Sequence, residues 1–553
     1  MAPDAGSEQG SRALGMVLAT LASAQFLMAL DSSVMNVSIA SVASDLGTTV
    51  TGVQTAITLY ALVMASLMIT GGKLGALFGR RRMFVVGALI YALGSLTTAL
   101  SPNLTVLIIG WSGLEGIGAA LIMPAVVALV AANFPAERRT KAYGTVAAAG
   151  AVAVAAGPII GGAVTTSLSW RWVFIGEVVV TLAIAALARR LSDAPPAERP
   201  RLDYVGVVLS ILGLSSLVLG LLRSSEWGWV TPKPGGASVL GLSPTVWLIL
   251  GGLIVLWLLL RWESRVEGRG AEPLIYRAQL ANRRLTSALS MFGIQFFMQA
   301  GIFFTIPLFL SVILGLSALE TGLRLLPLSL GLLASATGVP RVLPAASPRT
   351  IVRAGTFLML LGTAVLVGGL QPGADAAVVS IPLLLIGVGI GALASQLGAL
   401  AVSAVPESEA AEVGGLQNTV TNLGASIGTA LVGSLLVAVL TTSLGQGVAA
   451  SAQVPESVKA QARLQVQSGV AFLSDKQLED DLRRAGVDGS STSAIVEANA
   501  QARYTGLRVA LSSVMLVGVL GLFVSGGLPQ APPGGSEESP EGSGGLSSAS
   551  GLV

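Results

Sequence analysis

Apolar residues run along this chain in blocks of about twenty, the length of helix that crosses a bilayer core. Polar and charged residues collect in the short intervals between the blocks. Six blocks cover 14–40, 51–73, 83–101, 104–132, 142–166 and 170–188. Two more cover 203–222 and 244–261, and a last six cover 285–313, 319–340, 351–371, 376–404, 410–440 and 507–527. The pattern predicts an all-α integral membrane protein with 14 transmembrane helices. The first block is too long for the apolar core of a signal peptide and lacks a small-x-small cleavage site, so it reads as a retained helix.

Two regions break the pattern. Residues 441–506 hold no block of spanning length and are expected to form an external loop, with helix-like stretches from Pro455 to Gln467 and from Ser474 to Arg484. Ser474-Asp475 would cap the second stretch. From Pro529 onward Gly, Ser, Pro and Glu dominate and nothing apolar recurs, so 529–553 reads as a disordered cytoplasmic tail.

Composition narrows the chemistry more than the class. Hydrophobic residues make up 53% of the 553 and charged residues only 11%, with a mean hydropathy of +0.78. The absence of Cys removes disulfides and thiolate chemistry, and the absence of His removes imidazole relays and the commonest metal ligand. No Gly-x-x-x-x-Gly-Lys-Ser/Thr loop occurs, so no nucleotide drives the protein, and neither a cofactor nor a metal is expected. The net charge of +3 is small and the basic residues form short clusters between blocks, which fits membrane orientation and not nucleic-acid binding.

Those clusters alternate. Lys73 with Arg80, Arg81 and Arg82, then Arg138, Arg139 and Lys141, then Arg189 and Arg190 mark every second loop, and Arg261, Arg277, Arg283, Arg341 and Arg349 continue the series. The loops between hold little beyond Arg171, Arg223 and Lys233. Basic loops stay in the cytoplasm, so both termini are expected there, with the chain in the plasma (inner) membrane.

Three carboxylates, Asp31, Glu115 and Glu177, stand inside apolar blocks with no lysine or arginine within a helical turn in the same block. An ionisable group at a helix centre costs roughly 2.5 kcal/mol or more, so it is usually kept for ion or proton handling. Without histidine, proton exchange falls to these acids. At about 1.5 Å per residue Asp31 lies about 22 Å from the cytoplasmic end, Glu115 about 16 Å from the external side and Glu177 about 10 Å, an outside-to-centre ladder. Structural readings stay open: a neutral acid bonded between helices for Asp31 and Glu115, and a residue in the external mouth for Glu177.

The second half carries almost no charge within its blocks. Glu320 and Arg324 lie one turn apart and are expected to form a structural pair. Its polar content is instead amide: Gln295 with Gln299 and Asn418 with Asn422, both four apart, and Gln396. Such amides either cement helices or line a cavity beside aromatic residues such as Phe296, Phe297 and Phe303, and the sequence leaves both open.

Several motifs then fall in one order. Gly72, Leu74, Gly79, Arg80 and Arg81 match the loop Gly-x-Leu-x-Asp-Arg-x-Gly-Arg-Arg, with Ala76 at the aspartate position. Gly157-Pro158-Ile159-Ile160-Gly161-Gly162 places a helix breaker among small residues, and Asp31 and Asn36 lie in Leu30-Asp31-Ser32-Ser33-Val34-Met35-Asn36. Ser112 and Glu115 occupy the arginine and the glutamine of Arg-x-x-Gln-Gly-x-Gly-Ala-Ala. Together these resemble the fourteen-span drug/proton antiporters of the major facilitator superfamily, over nearly the whole chain.

That resemblance implies two six-helix bundles plus two inserted helices. The partition is 1–13, a cytoplasmic N-terminus; 14–188, the first bundle; 189–284, a linker with the extra pair; 285–528, the second bundle; and the tail. It further implies proton-coupled export of amphipathic organic compounds by alternating access. Asp31, Glu115 and Glu177 would carry protons. Asn36, Gln295, Gln299, Gln396, Asn418 and Asn422 would line the substrate path. Gly72, Gly79, Arg80, Arg81, Gly157, Pro158, Gly161 and Gly162 would serve gating. The expected partners are a small organic substrate, protons and the lipid bilayer, with no nucleic acid, and a monomer is expected. Two other readings remain: an exporter dedicated to one metabolite, and a membrane sensor built on a transporter fold, suggested by Ala76 and Ser112.

Overall fold

The computed structural model describes residues 5–48, 50–193, 202–233, 236–406, 409–456, 458–459 and 475–530. Thirteen helices are long and apolar enough to cross a membrane, and a bent helix in the first half raises the number to 14. In chain order they are α1 (Ala5–Asp45), α2 (Val50–Phe78), α3 (Arg80–Ala99), α4 (Leu104–Asn133), α5 (Ala136–Ser167), α6 (Arg171–Leu187) and α7 (Tyr204–Trp227). Then follow α8 (Pro244–Gly268), α9 (Arg283–Ile313), α10 (Ala318–Val342), α11 (Pro348–Gly369), α12 (Ser380–Ser403), α13 (Ala410–Ala450) and α14 (Gly489–Val524). The bent one is α5, where Ala136–Val154 and Ile159–Thr165 meet at 40° across Pro158, a residue that withholds a backbone donor from the helix ladder.

Local chemistry sets where the helices begin. Asn103 accepts from the Val106 amide, Asp203 from Val205 and Gly206, and Asn282 from Arg284 and Leu285, each satisfying donors that a helix start leaves open. Ser317 and Glu320 close a capping box at the start of α10. Glu320 therefore turns back to Ser317, and the pair with Arg324 expected from the sequence does not form.

Packing repeats between the halves. In the first, α1 lies on α5, α2 and α3 on α4, and α3 on α6. In the second, α9 lies on α13, α10 and α11 on α12, and α11 on α14, the same scheme eight helices later. Contacts between the halves obey the same exchange, with α5 against α10 and α12, and α13 against α2 and α4. The inserted α7 and α8 pack on each other, and α7 also touches α2 and α13.

Much of the loop expected at 441–506 is helix. α13 runs to Ala450 and α14 starts at Gly489, and apolar residues Leu444, Val448 and Ile495 continue a small core between them. The helix Asp475–Arg484 packs on α14, where Asp475 pairs with the buried Arg503. Ser474, most of Pro455–Gln467 and the tail from 531 lie outside the described residues.

Candidate functional site

Asp31 of α1, Glu115 of α4 and Glu177 of α6 are 1%, 0% and 2% exposed, and each offers a carboxyl oxygen within 4.8 Å of the others'. The ladder expected from the sequence is thus a cluster. A linear rise from an assumed helix start cannot register the tilt and rotation that aim three side chains at one point. The Trp111 indole donates to Asp31 Oδ1 at 2.8 Å and Oδ2 at 3.1 Å, and its ring stacks on Tyr60 with centroids 4.9 Å apart. Thr98 donates to Glu115 Oε1 at 3.1 Å. Glu115 Oε2 and both Glu177 oxygens have no hydrogen-bond partner among the described residues, nor does any described lysine or arginine form an ion pair with the three acids.

A widened turn in α4 delivers Glu115. Residues Ile108–Glu115 are π-helical, a geometry that inserts one residue and recurs at functional sites. The second half shows what the insertion does. A Cβ added to Gly118 would meet Gly87 O and Tyr91 N at 2.7 Å each, and one added to Gly389 would meet Gly355 O at 2.5 Å and Met359 N at 3.0 Å. Next along the same helix contact, Gly94 faces Gly110 O and Glu115 Cγ, while Gly362 faces Pro382 O and Ile386 Cγ1. The residues met are five apart in α4 and four apart in α12, so the extra residue falls within the π turn. Ile386 fills the place that Glu115 holds. Ser112, at the family's arginine position, donates to Ala56 O at 2.7 Å and ties α4 to α2.

Between the halves lies a cavity of about 490 Å³. Gln295, Gln299, Asn418 and Asn422 line it, together with Phe292, Phe296 and Phe303. Gln396 does not: its amide donates to Ser395 Oγ at 3.2 Å, and about 100° per residue turns it from the face of Ala394 and Gly398, which do line the cavity. The side chain of Asn36 lies outside the described ones. Gln25, Tyr143 and Gln417 also line the cavity, and sequence reading passed them over. A glutamine midway along the first apolar block was the available signal. No lining residue carries a formal charge.

At the arginine-rich end the halves are joined. Lys73 Nζ of α2 donates to Glu412 Oε1 of α13 at 2.8 Å, with the two side chains 2% and 6% exposed. The segment after α8 closes over the pair. Glu272 reaches Lys73 at 3.6 Å, the Tyr276 ring centroid stands 5.2 Å from Nζ, and Gln279 donates to Glu412 Oε2 at 3.2 Å and to Glu409 at 2.8 Å. From sequence, Lys73 was an orientation charge and Glu412 was unremarked. Gly72 lies below Gly415 at this joint. Gly79, at φ 97°, turns the chain so that the Arg80 and Arg81 amides donate to Asp193 at 3.2 and 2.9 Å. Gly157 and Gly161 let α5 close on Ser33 and Val34 of α1, a Cβ at Gly157 meeting Ser33 Oγ at 2.1 Å. Gly162 has open space beside it, and the Pro158 side chain is outside those described.

Two half-molecules related by helix exchange, a cavity between them and a joint at one end define a multi-span membrane transporter and not an enzyme. The chain belongs to the Major Facilitator Superfamily, whose family model matches residues 21–429. Among its relatives, the puromycin resistance protein pur8 of Streptomyces alboniger is 31% identical over 76% of this chain and 81% of its own length. The tetracenomycin C resistance and export protein of Streptomyces glaucescens is 30% identical over 74% and 73%. A probable actinorhodin transporter of Streptomyces coelicolor is 29% identical over 85% and 79%. The solved structure of the human organic anion transporter MFSD10 (TETRAN) aligns over 95% of this chain and 100% of its own, with a TM-score of 0.56 at 13% identity, a likeness of fold alone.

Proposed function

We propose that this protein exports amphipathic organic compounds in exchange for protons by alternating access, from the plasma membrane with both termini in the cytoplasm. The observation that carries the reading is the carboxyl cluster. Packing does not demand it, since Ile386 fills the equivalent place in the other half. Three ionised carboxylates within 4.8 Å and no cation would repel strongly, so the cluster holds at least one proton when gathered and can release it when the helices part. Asp31, Glu115 and Glu177 thus exchange protons.

The Lys73–Glu412 pair supports a cytoplasmic gate that is shut in this conformation. It bridges the two halves where Ala76 removes the family's aspartate, so a different pair of charges can do the latching. Gly72 seats Gly415 beside it, Gly79, Arg80 and Arg81 shape the turn that follows, and Gly157 and Gly161 form the seam along which α5 moves on α1. The names of the relatives, which concern resistance to and export of antibiotics, favour export over uptake. Both halves of the cavity come from one chain, so a monomer suffices.

The test is efflux driven by an imposed pH gradient in proteoliposomes. Asp31→Asn and Glu115→Gln should each lower it by about 100-fold, a change of about 2.7 kcal/mol. Undiminished coupling in both variants would sink the reading.

A further inference from the structure

Resting on the export reading, with the cavity as its substrate site, we infer that the substrate is an uncharged hydroxylated aromatic compound and that it binds apart from the proton. The lining carries the first part. Its hydroxyl and asparagine donors already have backbone partners: the Tyr143 hydroxyl donates to Val127 O at 2.9 Å, Asn418 to Gly414 O at 2.9 Å, Thr421 to Asn418 O at 2.8 Å, and Asn422 to Asn418 O at 2.8 Å. What remains are the amides of Gln25, Gln295, Gln299 and Gln417, none of which makes a hydrogen bond among the described residues. The Gln295 and Gln417 carbonyl oxygens are buried with no partner among the described residues, and Gln295 is 2% exposed. An amide left unpaired is costly, and a hydroxyl group, which both donates and accepts, can pair with either end of it. The faces of Phe292, Phe296 and Phe303 suit a flat apolar body beside them.

Charge is excluded by what the lining lacks. A cationic ligand also donates hydrogen bonds, but no carboxylate reaches this cavity to pair with it, and the desolvation of an unpaired ion exceeds what a phenyl face returns. No lysine or arginine lines the cavity to pair with an anion either. Asp31 does not enter: Gln25, Ala29 and Ser32 present one face of α1 to the cavity, and Asp31 is turned about 100° from Ser32 toward Trp111. The groups facing the acids are Trp111, Tyr60, Tyr91, Thr98 and Ser95, all within the first half, and none of them lines the cavity. Substrate and proton therefore do not compete for one group.

The purified full chain in detergent tests this by calorimetric titration with three probes: resveratrol, a neutral triphenol; its trimethyl ether, which keeps the rings and loses the donors; and tetraphenylphosphonium, a permanent cation. Resveratrol should bind about tenfold tighter than either of the others. Its affinity should change less than twofold between about pH 6 and about pH 8 and in Asp31→Asn, and fall about tenfold in Gln295→Leu. Tighter binding of tetraphenylphosphonium, equal binding of the trimethyl ether, absence of resveratrol binding, or loss of it in Asp31→Asn would each overturn the inference. The wild-type comparison needs no variant to fold. Transport is not read here, so this binding pattern without proton-driven efflux would refute the antiport reading alone.

Discussion

The contact of α3 with α4 and that of α11 with α12 are built alike and filled differently. Gly87 and Gly94 seat Gly118 and Glu115 in one, and Gly355 and Gly362 seat Gly389 and Ile386 in the other. An isoleucine is what a bilayer-embedded helix contact accepts without cost. A carboxyl group in that seat, reached only by an extra residue in a π turn, is a departure maintained against the packing, and it separates the half that handles charge from the half that supplies amides and phenyl rings. Exchanging the occupants is the strongest way to break the comparison. Ile386→Glu buries an acid with no neighbouring acid to share a proton and no Thr98 equivalent, since Leu366 stands where Thr98 does; it should cost about 4 kcal/mol or more in resistance to denaturant. Glu115→Ile should leave stability unchanged or raise it while removing proton-driven efflux. A destabilised Glu115→Ile would mean that the cluster is structural glue.

The joint at the arginine-rich end offers the next largest effect. Removing one member of a buried ion pair leaves the other charge unpaired, at a cost of about 3–5 kcal/mol. In Lys73→Met, Glu412 keeps only Gln279 as a donor, so the closed arrangement should lose that much relative to the open one. The chain has no cysteine, so a single cysteine in place of the buried Ala410, two residues before Glu412, reports the opening through its rate of modification by a water-soluble maleimide. Lys73→Met should raise that rate strongly, and Lys73→Met with Glu412→Gln should raise it less. Equal rates in all three proteins would show that the pair does not hold the gate.

The fold was legible because length and hydropathy fix spanning helices with little competition from other signals, and α5 alone needed its two segments joined across a bend. The three acids were legible for the same reason, as charges where charges are expensive. Their gathering was not. It depends on the π turn in α4 and on glycines that bring α3 against α4, and neither leaves a periodic trace in one sequence. The amides divide by helix face: Gln295, Gln299, Asn418 and Asn422 turn toward the cavity, and Gln396 turns away from Ala394 and Gly398. Lys73–Glu412 was hidden by a separation of hundreds of residues, and by the habit of reading a basic residue at a span end as a topology signal.

If a neutral compound leaves while a proton enters, each cycle carries net charge, and the membrane potential becomes a second driving force. One charge across 100 mV is worth about 2.3 kcal/mol, or roughly 50-fold in the accumulation ratio for each proton exchanged. A potassium diffusion potential set with valinomycin, negative on the cytoplasmic side, should therefore accelerate efflux of resveratrol at zero pH gradient. A substrate that balanced the proton with its own positive charge would show no such response, and the division between the two halves would lose its functional meaning.

The smallest effect is the finest probe of which amides belong to the cavity. Gln396 makes one hydrogen bond, to its neighbour Ser395, and packs away from the lining, so Gln396→Leu replaces a satisfied amide by an apolar group of similar length. Resveratrol affinity should change by less than about 0.5 kcal/mol, against about 1.4 kcal/mol for Gln295→Leu measured in the same titration. Both residues are glutamines inside apolar blocks, and their sequence surroundings do not rank them. An effect of Gln396→Leu equal to that of Gln295→Leu would place α12 in the cavity through a face this conformation hides, and the rocking of one half on the other would have to rotate α12 as well as tilt it.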